Sequence, residues 1–194
     1  MLAPRPFLSH IRPLVLLAAT VALAAGCRGN SPSDEPGGIP MTIRVSSSAF
    51  QEGETIPTPY TGDGRDASPP LRWENVPDGT KSLALIADDP DAPRGTWVHW
   101  VLYDLPADAR SLDEGVPATE TLPNGAKQGK NDFGKIGYGG PAPPRGKPHR
   151  YFFKLYALDA PVNSRPGATK AELLAAMKGH VLAEGQLMGK YGRS

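Results

Sequence analysis

Asp89 and Asp91 stand two apart in Asp88-Asp89-Pro90-Asp91-Ala92-Pro93, Trp97 and His99 two apart in Thr96-Trp97-Val98-His99-Trp100, and His149 and Tyr151 two apart in Gly146-Lys147-Pro148-His149-Arg150-Tyr151. Two carboxylates, two imidazoles and a phenol can do three kinds of chemistry. A carboxylate that orients a histidine raises the imidazole pKa and offers an imidazolium to an anion. The same pair can act as a general acid and base. Two His with two Asp can also ligate zinc, although no His-Glu-x-x-His spacing is present. Two carboxylates suit an anion site only if each is occupied by histidine or backbone N–H partners, leaving other donors for the guest. Tyr151 can donate its hydroxyl, and Gly139-Gly140 lets a ligand approach the backbone because no Cβ intervenes.

Other familiar strings do not survive scrutiny. Gly137-Tyr138-Gly139-Gly140-Pro141-Ala142 has dinucleotide-loop spacing, but Pro141, Pro143 and Pro144 forbid the helix that must follow. Pro148 follows Gly146-Lys147 where a phosphate loop requires Ser or Thr. Asp132-Phe133-Gly134 lacks the remaining kinase motifs, and no Gly-x-Ser-x-Gly elbow exists.

The elements that must position these residues read as β structure. Thr42–Val45, Ser82–Ala87, Val98–Tyr103 and Tyr151–Leu158 are β-branched, aromatic or aliphatic runs bounded by Gly, Pro and Asp. Leu71–Trp73 is a further short strand candidate. Period-two alternation puts Trp97 and His99 on one face with Val98 and Trp100 on the other, and His149 with Tyr151 away from Arg150. Long loops cover residues 53–70, 88–96 and 106–149, the last expected to fold against the sheets. Near the C-terminus, Thr169-Lys170-Ala171-Glu172 matches a capping box, and Leu173, Leu174, Met177, Val181 and Leu182 recur at helical spacing. Gly179 is expected to split this run into two short helices. The fold class expected is mainly β, a two-sheet antiparallel β-sandwich with a short C-terminal helical segment.

Composition agrees. With 22 Gly and 22 Pro in 194 residues, the chain is no long-helix or coiled-coil protein, and 39% hydrophobic with 21% charged residues suits one globular domain. Residues 1–26 have the pattern of an export signal: Arg5, His10 and Arg12, then the apolar Leu14–Ala25, short of the ~20 residues that span a bilayer. Leu23-Ala24-Ala25-Gly26-Cys27 resembles a bacterial lipobox. It implies acylation of Cys27, with palmitate as one such chain, and a protein lipid-anchored to a membrane of the cell envelope. A plain secretory signal with an incidental cysteine is the alternative. Residues 27–40 form a polar tether and 41–194 the folded domain. Removing residues 1–26, which hold two Arg and no acid, leaves 19 Lys+Arg against 20 Asp+Glu. Such a balance gives no electrostatic footprint for nucleic acid. Cys27 is the only cysteine, so the domain holds no internal disulfide.

Asp89–Pro93 (Asp-Pro-Asp-x-Pro) and Gly146–Tyr151 (Gly-x-x-His-Arg-Tyr) resemble the signatures of the phosphatidylethanolamine-binding protein family, in its bacterial Raf-kinase-inhibitor-like branch. Ser68-Pro69-Pro70-Leu71-x-Trp73 and Leu187-x-Gly189-x-Tyr191 are similar to that branch too. The resemblance covers about residues 41–192. Gly62 and Ala142 depart from it, standing where cysteines are frequent. What it implies is a cavity at one end of the sheets that binds small anions or phospholipid head groups without catalysis. The implied lining is Asp89, Asp91, Pro93, Trp97, His99, Gly139, Pro141, His149 and Tyr151, with Tyr191 close by, and no metal or cofactor. Two further functions stay open: an inhibitor or interaction protein acting on an envelope enzyme, and an Asp/His acid–base or metal-dependent hydrolase.

Overall fold

The computed structural model describes residues 1–2 and 39–193. The export signal, Cys27 and nearly all of the tether lie outside the described residues. The unit from Gly37 onward carries the fold.

Its strands are β1 (Arg44–Ser46), β2 (Leu71–Glu74), β3 (Ser82–Asp89), β4 (Trp97–Pro106), β5 (Ser111–Leu112), β6 (Lys127–Gln128), β7 (His149–Leu158) and β8 (Val181–Tyr191), with one α-helix, α1 (Lys170–Met177), between β7 and β8. They form two antiparallel sheets, β1-β2-β5 and β6-β4-β3-β7-β8. Every residue of β3 is buried. That explains its unbroken apolar run, since a central strand covered on both faces has no reason to alternate. Leu83, Leu85 and Ala87 pack into the core between the sheets with Trp73, Trp100, Phe153 and Leu155. Ala84 and Ile86 face a second core, roofed by Leu173 and Met177 of α1. The helix begins at the expected capping box: Glu172 N–H donates to Thr169 Oγ1, and Thr169 N–H to the Glu172 carboxylate.

Two expectations need correction. Beyond Gly179, which takes a left-handed φ of 81°, the chain enters no second helix. It forms β8, the edge strand paired along the whole of β7. Val181 and Leu182 therefore belong to a strand, and Leu174 is 40% exposed. The inward positions of β8 include Ala183, Gly185, Leu187 and Gly189. A Cβ built at Gly185 would lie 1.9 Å from the Ile43 carbonyl oxygen, so glycine is what lets the chain leading into β1 cross this strand. The second correction concerns β4. Ala87 pairs with Trp100 and Asp88 with Val98, leaving His99 as an extra residue in a β-bulge. Trp97 and His99 do face one cavity, but Val98 and Trp100 part company, one in each core.

The 106–149 segment folds against the sheets around buried amides. Gln128, fully buried, accepts from Trp100 Nε1 at 2.8 Å and donates to the Pro117 and Thr119 carbonyls. Asn131 donates to the Gly137 carbonyl and accepts from Phe133 and Lys135 N–H, fixing the turn that carries Phe133.

Candidate functional site

The C-terminal end of β3, the start of β4 and the start of β7 lie side by side. Antiparallel pairing puts Asp89 opposite Trp97, and Asp88 opposite Phe152 one residue past Tyr151. These three strand ends and the proline-rich stretch before β7 enclose a cavity of about 350 Å³. Its lining combines an apolar collar of Ala92, Pro93, Trp97, Phe133, Ala142, Pro143 and Pro144 with the polar side chains of Asp89, Arg94, His99, His149 and Tyr151.

Asp89 is 3% exposed and both carboxylate oxygens are occupied: Oδ1 accepts from Asp91 N–H at 2.8 Å, and Oδ2 from His149 Nδ1 at 2.7 Å. Because a carboxylate only accepts, His149 carries its hydrogen on Nδ1 and turns Nε2 away from Asp89. His99 meets a different partner. Its Nδ1 donates to the Gly139 carbonyl at 2.6 Å, while Gly139 N–H donates back to the His99 carbonyl at 2.9 Å. The His99 ring stands edge-on to Phe133 and Tyr151, with centroids at 5.4 and 5.2 Å.

Sequence reasoning gives these histidines a raised pKa through a neighbouring carboxylate. For His99 the direction is opposite. Burial lowers its pKa below the ordinary histidine value, and the Gly139 carbonyl and Asp89 offset this only in part. The Tyr151 hydroxyl is pushed far up by burial, with Asp89 adding to it, and stays protonated. No buried side-chain nitrogen or oxygen among the described residues lacks a partner. His99 Nε2, His149 Nε2 and the Tyr151 hydroxyl make no hydrogen bond to a described residue. They therefore keep their solvent access through the cavity their residues line.

Of the ten sequence-derived binding residues, Asp89, Pro93, Trp97, His99, His149 and Tyr151 line this cavity. The other four lie outside its lining. Asp91 is clamped by Arg150, whose Nε and Nη2 reach its two oxygens at 2.9 and 2.7 Å, and it also accepts Arg150 N–H. That clamp holds the Asp91 carboxyl well below the usual carboxylate range. Gly139 serves His99 from behind, and its missing Cβ makes room for the Phe133 ring. Its N–H is committed to His99, and Gly140 N–H to Asp66 Oδ1 at 2.6 Å, so this backbone is not open to a ligand. Pro141 is buried and its carbonyl accepts from Gly62 N–H. Tyr191 donates to Asp63 in a neighbouring hollow with Arg145 and Arg193. Ala92, Arg94, Phe133, Ala142, Pro143 and Pro144 also line the cavity, although the sequence reading assigned none of them to the site. Ala142 also abuts Gly62, where a built Cβ would lie 3.1 Å from the alanine Cβ. The two positions where the family resemblance places cysteines are thus spatial neighbours. No group of three His, Cys, Asp or Glu side chains among the described residues is arranged to hold a metal.

Residues 46–192 match the family model described as phosphatidylethanolamine-binding protein. This chain belongs to the phosphatidylethanolamine-binding protein family. A UPF0098 protein of Methanothermobacter thermautotrophicus is 52% identical over 151 residues, covering 78% of this chain and 99% of that relative. A UPF0098 protein of Pyrococcus horikoshii is 45% identical over 191 residues, covering 97% and 92%. Among solved structures, a phosphatidylethanolamine-binding protein homolog from Chlamydia trachomatis superposes with a TM-score of 0.72 at 41% identity, covering 79% of this chain and 99% of that one. E. coli YbcL, described as a new member of the mammalian PEBP family, gives 0.73 at 34% over the same shares. The two-sheet phosphatidylethanolamine-binding protein fold is thus common to this chain and these neighbours.

The lowered His99 pKa fixes a sign for the acid limb of stability. An unfolded chain binds the proton near pH 6.5, the folded chain only below that. His99 therefore costs no stability above about pH 6.5 and lowers it progressively as pH falls from there through the folded-state pKa. Imidazole ¹⁵N spectra should show His99 protonated on Nδ1 alone at pH 7, titrating below free histidine. A midpoint at or above about 6.5 contradicts the assignment.

Proposed function

We propose that this chain is a non-catalytic binding protein of the Raf-kinase-inhibitor-like branch, taking small anions or phospholipid head groups into the strand-end cavity. The observation that carries the reading is that His99 of β4 and His149 and Tyr151 of β7, the two strands that flank β3, each leave one hydrogen-bonding atom without a partner among the described residues on the same cavity. The Tyr151 hydroxyl donates at any ordinary pH. His149, when doubly protonated, donates Nε2–H inward while Nδ1–H stays on Asp89. Arg94 adds a cation at the wall.

Hydrogen bonds to charged groups contribute roughly 1.5–3 kcal/mol each, so two or three hold a small anion against the cost of association. The apolar collar suits a ligand with a short hydrocarbon portion. Binding without chemistry is favoured because no Ser, Thr or Cys is among the described residues that line the cavity, so the Asp89–His149 pair has no side-chain nucleophile of that kind among them to activate. On this reading the N-terminal signal delivers the protein to the cell envelope, where acylated Cys27 holds it at a membrane and residues 28–40 serve as its tether.

Phosphate should raise the thermal unfolding temperature of the wild-type protein. His149→Ala and Tyr151→Phe should each weaken phosphate binding about tenfold or more in calorimetric titrations. The distant His180→Ala should leave it unchanged. Equal affinities in all four proteins would remove the cavity from the account. Metabolic labelling with a palmitate analogue should mark the wild type in its membrane fraction and miss Cys27→Ala; a labelled variant contradicts lipidation there.

A further inference from the structure

We infer that the cavity selects phosphate groups that still carry a hydroxyl, namely hydrogen phosphate and phosphomonoesters in their protonated form, because His99 meets the ligand as a hydrogen-bond acceptor. The inference rests on the anion-binding reading above and narrows it. Its basis is the tautomer that the fold imposes. A backbone carbonyl has no proton to give, so the 2.6 Å contact between His99 and Gly139 puts the ring hydrogen on Nδ1. Gly139 is itself held by its N–H to the His99 carbonyl. Phe133 and Tyr151 flank the ring, and a flipped imidazole would set a carbon against the Gly139 oxygen. Nε2 is then the atom open to the cavity, and in the neutral ring it carries a lone pair.

The charged groups around His99 are already spoken for. Asp89, at the end of β3, is saturated by His149 and Asp91 N–H. Asp88, next to it in β3, is fully buried as a side chain and paired to Lys154 of β7 and Lys170 of α1. Asp66 takes Gly140 N–H. On the cavity side stand His149, Tyr151 and Arg94. Burial outweighs the attraction of the three carboxylates and keeps the His99 ring neutral.

The cavity therefore offers donors from Tyr151 and Arg94, and an acceptor from His99 Nε2. Hydrogen phosphate matches that set: its charged oxygens accept and its P–OH donates to Nε2. Sulfate has the same tetrahedral shape but no proton near neutral pH, so one of its oxygens would face a lone pair. A phosphodiester is in the same position. A buried acceptor left facing another acceptor loses its bond to water without replacement, which is where polar discrimination comes from.

Calorimetric titration of the folded wild-type protein at pH 6, where about half of a phosphomonoester still carries its hydroxyl, with inorganic phosphate, sulfate, ethanolamine phosphate and glycerophosphoethanolamine tests this. The last two carry the same ammonium group and differ in whether the phosphate is a monoester or a diester. Phosphate should bind about tenfold or more tightly than sulfate, and the monoester more tightly than the diester. Monoester affinity should fall from pH 6 to 8 as its second proton, with a pKa of about 6, is lost. Equal binding of phosphate and sulfate, or of monoester and diester, overturns the inference and leaves anion binding standing. Failure of all four compounds to bind overturns both.

Discussion

Asp89 is a carboxylate at the end of the central strand, almost wholly removed from water, with each oxygen satisfied from a different segment: Asp91 N–H in the following loop and His149 Nδ1 at the start of β7. Taking either partner away would leave a buried charge short of a hydrogen bond, which is far more costly than the bond is stabilising. That constraint shapes the loop. Asp91 N–H must turn back toward Asp89, while the Asp91 side chain turns outward to Arg150. The carboxylate also sets which nitrogen of His149 remains for a guest. The negative charge in the cavity is thus part of its frame, already neutralised by hydrogen bonds inside the protein.

The two histidines show how one side chain acquires two chemistries from its partner. His149 rests on a carboxylate and can carry a proton as an ion pair. His99 rests on a carbonyl, deeper in the protein, and is held neutral. Prolines at 93, 143 and 144 line the wall with little backbone freedom left to lose, and with Trp97 and Phe133 they make much of it apolar. In such surroundings each remaining polar contact gains strength and each mismatch gains cost. The outer neighbours, Tyr191 with Asp63 and Arg193, form a separate polar hollow.

Much of this was legible in the amino-acid order. β3, β4 and β7 announce themselves because buried central strands are runs of large apolar residues, and the Thr169–Glu172 box marks the start of α1 by local chemistry alone. β8 was hidden because its inward face is partly glycine and alanine at 183, 185 and 189, so alternation leaves little hydrophobic trace. Glu184, Leu187 and Met188 meanwhile favour a helix. The β-bulge at His99 is invisible for a similar reason: alternation counts residues, and register is set by pairing. Within the site, residues fixed by strand spacing fell where expected. Asp91 and Gly139 did not, because their roles depend on Arg150 and His99, contacts between segments remote in sequence. Phe133 had a signal, the Asn131-Asp132-Phe133-Gly134 turn, but a turn does not say which cavity it overhangs.

The central claim is that one hole at the ends of β3, β4 and β7 takes the anion. The most direct measurement is a titration of ¹⁵N-labelled protein with inorganic phosphate, followed by amide and imidazole shifts. The account predicts saturable changes concentrated at residues 89–99, Phe133 and 149–151, with the imidazoles of His99 and His149 moving most. Changes centred instead on Asp63, Tyr191 and Arg193, or spread without saturation over surface lysines, would contradict it.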